Sequence, residues 1–430
     1  YYNTRLIKHL EAELGVEFVP VVKRPGRTPV WEINGIPKDL CEKMSRRRAA
    51  IEVRQAQLTS EFKKTHGRIP TSSEQAKLAQ QATLETRPAK KEPKTFAEQR
   101  ALWQKEATHC LGDKQTINDV LAQTINRNGA EKTPRLALTQ SAIDDIAASV
   151  TESVSNKRAT WQLQHVLAQA QRELRAYEIK PVNIDKTARL IAEKVTSNAV
   201  NLGSTAPKIT GLTRSNGTSI YQRADAELFT TREVLQAETD LLTAASTKNF
   251  SGLKSFWVEK TIRKHELEGL KLTPSQSRMV TELATSQRGL QLALAPAGTG
   301  KTTSMKVLAD AWQSAGGTVI GLSHQALAAE NLKEAISDDA VCDTITSLTF
   351  QLKQPTPLLP EWAQKVNNHT LIIVDEAGMA STKDLALLTK FANERGASVR
   401  LIGDDRQLAA IEAGGILRDI AHEHGAVRLT

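Results

Sequence analysis

From about Leu272 to the end of the chain, short apolar segments alternate with stretches that have helical spacing. The apolar segments read LQLALA, TVIGLS, TLIIVDEAG and SVRLIGDD. This alternation is typical of βαβ units, in which parallel strands form one sheet and helices cover both of its faces. The sequence therefore predicts an α/β fold for residues 272–430, with a parallel sheet as its centre.

The first of these segments runs into a loop that matches a phosphate-binding pattern at all but one position. The pattern is G-x-x-x-x-G-K-[ST], and Ala295 replaces its first glycine. In such a loop the main-chain N–H groups and the following helix N-terminus bind phosphates. Lys301 is expected to reach the β- and γ-phosphates, and Thr302 to place its hydroxyl on Mg²⁺. The other residues expected to bind the nucleotide are Ala297, Gly298, Thr299, Gly300 and Thr303. Since Ala295 stands at the strand exit, we expect it to be tolerated.

Two further motifs follow later apolar strands. Asp375 and Glu376 end LIIVDEAG, and ligands of parallel sheets bind at the carboxyl ends of strands. One of these two carboxylates is therefore expected to hold Mg²⁺ through water, and the next to orient or deprotonate the attacking water. Gln407, in GDDRQL, has two interpretations: contact with the γ-phosphate, or a turn side chain that faces water.

Gln276, in LTPSQ, also has two interpretations. Thr273-x-x-Gln276 is a capping box, so the amide satisfies a helix N-terminus. Alternatively, the amide grips an adenine edge with one donor and one acceptor. The sequence alone does not separate the two.

The chain before this region is predicted to be mainly helical. Its 430 residues suggest two or three domains at ~150 residues each. VEFVPVV and PVWEING flank the turn-rich KRPGRT, which predicts an N-terminal β-hairpin. A basic helical pattern follows from Pro37 to about Lys64, and residues 96–200 are helical and polar. Capping boxes at Thr71-x-x-Glu74 and Thr95-x-x-Glu98 begin two more helices.

Positive charge is concentrated at the start of the chain. The formal net charge is +9, and residues 1–100 hold 20 Lys and Arg against 12 Asp and Glu, a net of +8. This polarity fits a surface for phosphate backbones. The alternative is a set of solvated helix faces.

The sequence predicts no membrane insertion and no secretion. Its longest apolar runs are far shorter than the ~20 residues that span a bilayer, and the chain opens without the pattern of a signal peptide. Three scattered cysteines lack metal or disulfide spacing, which favours the cytoplasm.

In chain order, LTPSQ, AGTGKTT, VDEAG and GDDRQL resemble the Q motif and motifs I, II and III of superfamily 1 helicases of the RecD-like branch. The segments RATWQLQHVLAQAQRELR and NGTSIYQRADAELFTTREVLQAE are similar to conjugative relaxase-helicases of the TraI/TrwC type, the MobF group. The opening YYNTRLIKHLEAELGVEF and GIPKDLCEKMSRRRAAIE resemble the end of their relaxase domain.

The resemblance implies ATP and Mg²⁺ as cofactors and 5′-to-3′ unwinding of plasmid DNA for transfer. It implies single-stranded DNA, conjugation accessory proteins and a secretion coupling protein as partners. It favours adenine contact for Gln276, assigns the metal to Asp375 and the attacking water to Glu376, and assigns the roles above to Lys301, Thr302 and Gln407. The expected domains are the end of a relaxase domain (1–65), a helical connector (66–205), an N-terminal helicase subdomain (206–271) and a RecA-like ATPase lobe (272–430).

Two parts of such proteins are not expected in this sequence. Nicking needs a tyrosine and a cluster of metal-binding histidines, and Tyr1 and Tyr2 align with a helix beyond that centre. A helicase also needs a second RecA-like lobe, so the chain is expected to be a fragment. Two alternatives stay open: a RecD-like DNA repair helicase, and a vestigial module that only binds single-stranded DNA.

Overall fold

The computed structural model describes the chain except for a set of short segments. These are residues 1, 23–28, 67–69, 71, 88–94, 113–115, 126–133, 204–208, 210, 215–218, 222–226, 297, 337–339, 405–413 and 430, and the side chains of residues 2, 46, 72, 73, 76 and 414. The described residues group into two compact units. One comprises residues 1–147 and 167–191, and the other comprises residues 148–166 and 192–430.

The described residues up to Ser246 form ten α-helices and four short strands. In chain order the elements are α1 (Tyr2–Leu14), β1 (Phe18–Val21), β2 (Val30–Ile33), α2 (Lys38–Met44), α3 (Arg46–His66), α4 (Ser72–Glu85), α5 (Phe96–Leu111), α6 (Ile117–Thr124), α7 (Gln140–Lys157), α8 (Leu163–Glu173), α9 (Ile184–Asn198), β3 (Val200–Gly203), β4 (Leu228–Thr230) and α10 (Arg232–Ser246).

The remaining elements alternate between strands and helices. They are α11 (Ser255–Leu267), α12 (Pro274–Thr285), β5 (Leu290–Leu294), α13 (Lys301–Ser314), β6 (Thr318–Ser323), α14 (Ala326–Ile336), β7 (Val341–Thr344), α15 (Ile345–Leu352), α16 (Glu361–Gln364), β8 (Thr370–Asp375), α17 (Thr382–Asn393), β9 (Ser398–Gly403), α18 (Gly414–Glu423) and β10 (Val427–Arg428).

The N-terminal predictions are confirmed where the chain is described. Strands β1 and β2 pair antiparallel, with Phe18 opposite Ile33 and Val21 opposite Val30. The turn between them lies outside the described residues. The basic helix predicted from Pro37 is two helices, because the chain leaves helical geometry at Ser45 (φ −86°, ψ 51°) before α3 begins.

Capping explains where several helices begin. The Thr95 box of α5 is formed in both directions: the Thr95 hydroxyl accepts from the Glu98 N–H, and Glu98 accepts from the Thr95 N–H. A capping box at Thr116, which was not predicted from the sequence, begins α6. Thr71 lies outside the described residues.

A six-stranded sheet forms the centre of the second unit. Its strand order is β10-β5-β9-β8-β6-β7, and every pair of neighbours is parallel. The predicted parallel α/β fold is confirmed. Strand β7 and the β3–β4 pair were not predicted, because four-residue strands such as VCDT lack a long apolar run.

Helices cover both faces of this sheet. Along β8, Ile372 and Val374 pack into a core with α10, α15, α17 and α18, while Leu371 and Ile373 pack into a second core with α12, α13 and α14. This alternation follows from the two-residue period of a strand. The carboxyl ends of all the strands therefore lie along one edge between two layers of helices. No helix in the described part of the chain is long and apolar enough to cross a bilayer.

Candidate nucleotide-binding site

The phosphate loop leaves the sheet at the end of β5 and enters α13. Ala295 still behaves as a strand residue: its N–H donates to the Gly403 carbonyl on the next strand at 2.8 Å. Its side chain is 1% exposed and packs in the core beneath α13. An alanine is therefore compatible with the first position of the motif, because that position needs no unusual backbone angle.

Gly298 and Gly300, at later positions of the loop, do have unusual backbone angles. Gly298 has φ of +81° and Gly300 has φ of +85°, a region that residues with a Cβ rarely adopt. A Cβ on Gly298 would have no neighbour within 4 Å among the described residues, which leave the loop open beside it. A Cβ on Gly300 would lie 2.1 Å from the amide nitrogen of Gln276. Gly298 is therefore required because of its positive φ. Gly300 is required because of its positive φ and because Gln276 leaves no room for a Cβ.

Gln276 is buried (9% exposed) and connects its helix to this loop. Its Oε1 accepts from the Thr273 N–H at 2.9 Å, which completes the capping box of α12. Its Nε2 donates to the Thr299 carbonyl at 3.0 Å. Both ends of the amide are therefore bonded within the protein, and the capping interpretation describes this structure.

Lys301 and Asp375 form an ion pair between the start of α13 and the end of β8. Lys301 Nζ lies 2.7 Å from Asp375 Oδ1, and the two side chains are 23% and 14% exposed. The same carboxylate oxygen accepts from the Glu376 N–H at 2.9 Å. Lysine and carboxylate are thus brought together although strand β9 separates β5 from β8 in the sheet.

Glu376 has the only positive φ (52°) of a non-glycine residue in the described part of the chain. A left-handed backbone costs a residue with a Cβ roughly 1–2 kcal/mol. Its side chain is exposed, so no core packing compensates for this strain. Such strain is frequent at functional positions.

The structure describes some of the other residues that are predicted to bind nucleotide, but not all of them. Thr302 is exposed on the first turn of α13 and Thr303 is half-buried. The Thr299 hydroxyl donates to the Pro296 carbonyl at 2.7 Å, which fixes the bend of the loop. Ala297 and Gln407 lie outside the described residues, as does most of GDDRQL.

The residues present fit a phosphate group and a divalent cation. Helix α13 begins at Lys301 after the cap residue Gly300, which has no side chain to bond the first N–H groups, so these N–H groups can face an anion. No group of three or more His, Cys, Asp and Glu among the described residues is arranged to hold a metal ion. Mg²⁺ prefers oxygen ligands and binds through one or two protein groups together with substrate phosphates, and Asp375 and Thr302 carry such oxygen atoms.

One fully buried charged residue of the sheet, Arg400 on β9, was not predicted from the sequence. It is fully buried, and its guanidinium donates to the carbonyls of Leu283, Ser286 and Arg288 at 2.8–3.1 Å. These carbonyls lie at and just beyond the C-terminal end of α12, the helix that carries Gln276. Burial lowers the pKa of Arg400 to about 9, which leaves it charged at neutral pH. An arginine inside the apolar segment SVRLIG was the available signal.

The parallel sheet, the glycine loop and the lysine–carboxylate pair together define a P-loop protein of the RecA-like class. Comparison with protein families then narrows the class. Residues 271–430 match the AAA domain, and residues 1–110 match the TrwC relaxase. Residues 1–110 are therefore similar to the TrwC relaxase and residues 271–430 to the AAA domain, and the resemblance to MobF relaxase-helicases is confirmed.

Relatives with conjugal transfer names support this assignment. A probable conjugal transfer protein TraA of Sinorhizobium fredii is 31% identical over 210 residues, which is 48% of this chain and 18% of that protein. The conjugal transfer protein TraA of Rhizobium radiobacter is 31% identical over 204 residues, 47% of this chain and 17% of that protein. The chain thus matches less than a fifth of the length of these relatives.

Proposed function

We propose that residues 272–430 form the first motor lobe of a conjugative relaxase-helicase. This lobe binds ATP with Mg²⁺ and contributes to 5′-to-3′ translocation along single-stranded plasmid DNA in the cytoplasm. The observation that carries the proposal is the pairing of Lys301 with Asp375 beside the open loop at Gly298. A lysine held by a carboxylate at the edge of a parallel sheet is poised to exchange that partner for phosphate.

Lys301 makes this exchange when phosphates enter the loop. Its ammonium leaves Asp375 for the β- and γ-phosphate oxygens, which frees the carboxylate to hold Mg²⁺ together with the Thr302 hydroxyl. When bound there, Mg²⁺ would neutralise charge that develops on the phosphates. Glu376, next to Asp375 and exposed, orients or deprotonates the attacking water.

Gln276 and Gln407 complete the proposed site. The Gln276 amide must break its bond to Thr299 or Thr273 if it is to contact adenine. Its capping role and its adenine role therefore belong to different states of the protein. Gln407 is proposed to contact the γ-phosphate.

The proposed binding partners are inferred from the positive charge of residues 1–100 and from the names of the similar proteins. The net +8 of residues 1–100 favours phosphate backbones, because neutralising phosphates gives affinity that does not depend on sequence. The conjugal transfer names of the relatives support plasmid DNA, accessory proteins and a secretion coupling protein as partners. The domain boundaries at 65, 205 and 271 are part of the same proposal.

The two alternatives have less support. A TrwC relaxase match over residues 1–110 favours a conjugative protein over a repair helicase. Lys301, Asp375 and Glu376 are all retained, and a module that only binds DNA has no need of them.

The test measures equilibrium binding of a fluorescent ATP analogue to the 430-residue chain. The affinity of the Lys301→Ala variant is compared with that of the wild type and of a control variant, Lys306→Ala. Lys306 lies on the same helix, is exposed, and has the same charge. We expect Lys301→Ala to weaken binding at least ~10-fold, because it removes a charge-assisted contact to phosphate, and Lys306→Ala to have no effect. Equal affinities for the wild type and Lys301→Ala would show that the nucleotide does not bind at this loop.

A further inference from the structure

Ser323, the last residue of β6, has a buried hydroxyl that the proposed site does not use. The residue is 0% exposed, and its Oγ makes no hydrogen bond with any described residue. A buried hydroxyl without a partner costs free energy, so its presence needs an explanation.

The register of the sheet places Ser323 beside the metal-binding carboxylate. Ser323 is the pairing partner of Asp375 on β8, and Thr344 on β7 is its partner on the other side. Side chains at paired positions of parallel strands lie on the same face, with the strands ~4.8 Å apart. This is the face that packs against α13, since Leu371, Ile373 and Val319 share its core with Met305.

The partners of Asp375 explain why Ser323 is unbonded in this state. One oxygen of the carboxylate, Oδ1, accepts from both Lys301 Nζ (2.7 Å) and the Glu376 N–H (2.9 Å). The carboxylate is therefore turned toward α13. Thr344, the neighbour on the other side, accepts from the Ser347 N–H at 3.1 Å and caps α15.

We infer that Ser323 is a positioning residue for Asp375. When Lys301 moves to the phosphates, the carboxylate loses its cationic partner and turns, and the Ser323 hydroxyl donates to it. This bond holds Asp375 in one rotamer while the carboxylate binds Mg²⁺, and the buried hydroxyl gains the partner that it lacks without nucleotide. The inference rests on the proposed function, because it requires Lys301 to leave Asp375.

The test compares Ser323→Ala with a matched control, Thr389→Val. Thr389 on α17 is 2% exposed and also has a buried hydroxyl without a partner in the described structure, but its helix packs on the other face of the sheet from Ser323. Three quantities are measured: the urea midpoint without nucleotide, the affinity for a fluorescent ATP analogue in EDTA, and the Mg²⁺ concentration that gives half of the Mg²⁺-dependent gain in affinity.

For Ser323→Ala we expect an unchanged or higher urea midpoint, an unchanged affinity in EDTA, and a Mg²⁺ midpoint raised about 5- to 10-fold; tenfold corresponds to about 1.4 kcal/mol. Thr389→Val should leave the Mg²⁺ midpoint where it is. Ser323→Cys, which keeps a weak donor, should fall between the wild type and Ser323→Ala.

An unchanged Mg²⁺ midpoint in Ser323→Ala, with a wild type that binds nucleotide and responds to Mg²⁺, would overturn the role of Ser323 and leave the proposed function standing. A wild type that binds no nucleotide would instead overturn the proposed function, and the inference with it. A lower urea midpoint in Ser323→Ala would show that the hydroxyl is already bonded without nucleotide, which also contradicts the inference.

Discussion

Gly300 and Gly298 allow the cost of a backbone angle to be separated from the cost of a steric clash. The two glycines have nearly equal φ, +85° and +81°, and lie two residues apart in one loop. A Cβ at Gly298 meets no atom of the described residues within 4 Å, whereas a Cβ at Gly300 lies 2.1 Å from Gln276 Nε2. Replacing each glycine by alanine therefore adds the same strain and only one clash.

The expected magnitudes follow from these contacts. Holding alanine in the left-handed region costs roughly 1–2 kcal/mol, which is the whole cost expected for Gly298→Ala. Gly300→Ala must also displace a buried amide that makes two hydrogen bonds, to Thr273 and to Thr299. At about 0.5–1.5 kcal/mol for each bond, the total for Gly300→Ala is about 2–5 kcal/mol.

The measurement is urea unfolding without nucleotide, followed by circular dichroism, with hydrogen exchange of α12 and α13 to assign the transition to the second unit. In a Gln276→Ala background the clash is absent, so Gly300→Ala should cost only the roughly 1–2 kcal/mol of Gly298→Ala. If Gly300→Ala costs the same with Gln276 present or absent, the amide does not pack against the loop as described. If the two glycine variants are equally destabilised in the wild-type background, the clash has no energetic weight.

Two further predictions concern a fully buried arginine and a half-buried glutamate in the second unit. Arg400→Met leaves the carbonyls of Leu283, Ser286 and Arg288 without their donor, and we expect a loss of about 3–5 kcal/mol in urea unfolding; a variant as stable as the wild type would contradict this. Burial raises the pKa of the Glu238 carboxyl group, and repulsion from Asp419 raises it further. The folded state therefore binds the carboxyl proton more tightly than the unfolded state does. As a consequence, the folded state loses stability as pH rises above the ordinary glutamate pKa. Glu238→Gln should therefore raise the thermal midpoint at pH 7 but not at pH 4, and an equal effect at both pH values would exclude titration of Glu238 as the cause.

Four strands of the six-stranded sheet, β5, β6, β8 and β9, were predictable because each is a run of apolar residues that ends in polar ones. The side chains at their carboxyl ends were predictable as a group for the same reason. Which of these side chains contact each other was not predictable. That Lys301 reaches Asp375 depends on the strand order, and nothing in the local sequence gives that order.

Single residues with tertiary partners were the main omissions. The capping box at Gln276 was visible as a four-residue pattern, but its second bond, to the Thr299 carbonyl 23 positions later, was not. Arg400 likewise satisfies carbonyls more than a hundred positions earlier in the chain. The break at Ser45 was hidden because the residues on both sides of it have helical patterns.

The alanine at the first motif position shows what the glycines of a phosphate loop are needed for. At Ala295 the chain is still paired to β9 through the Gly403 carbonyl, so its backbone angles suit any small residue. Its methyl group also fills space in the core shared with Ala293 and Met305, which a glycine would leave empty. At Gly298 and Gly300 the chain has left the sheet and turns with positive φ. The requirement for glycine therefore begins where strand pairing ends, and a motif with alanine at the strand exit retains every backbone feature with which the loop would surround a phosphate.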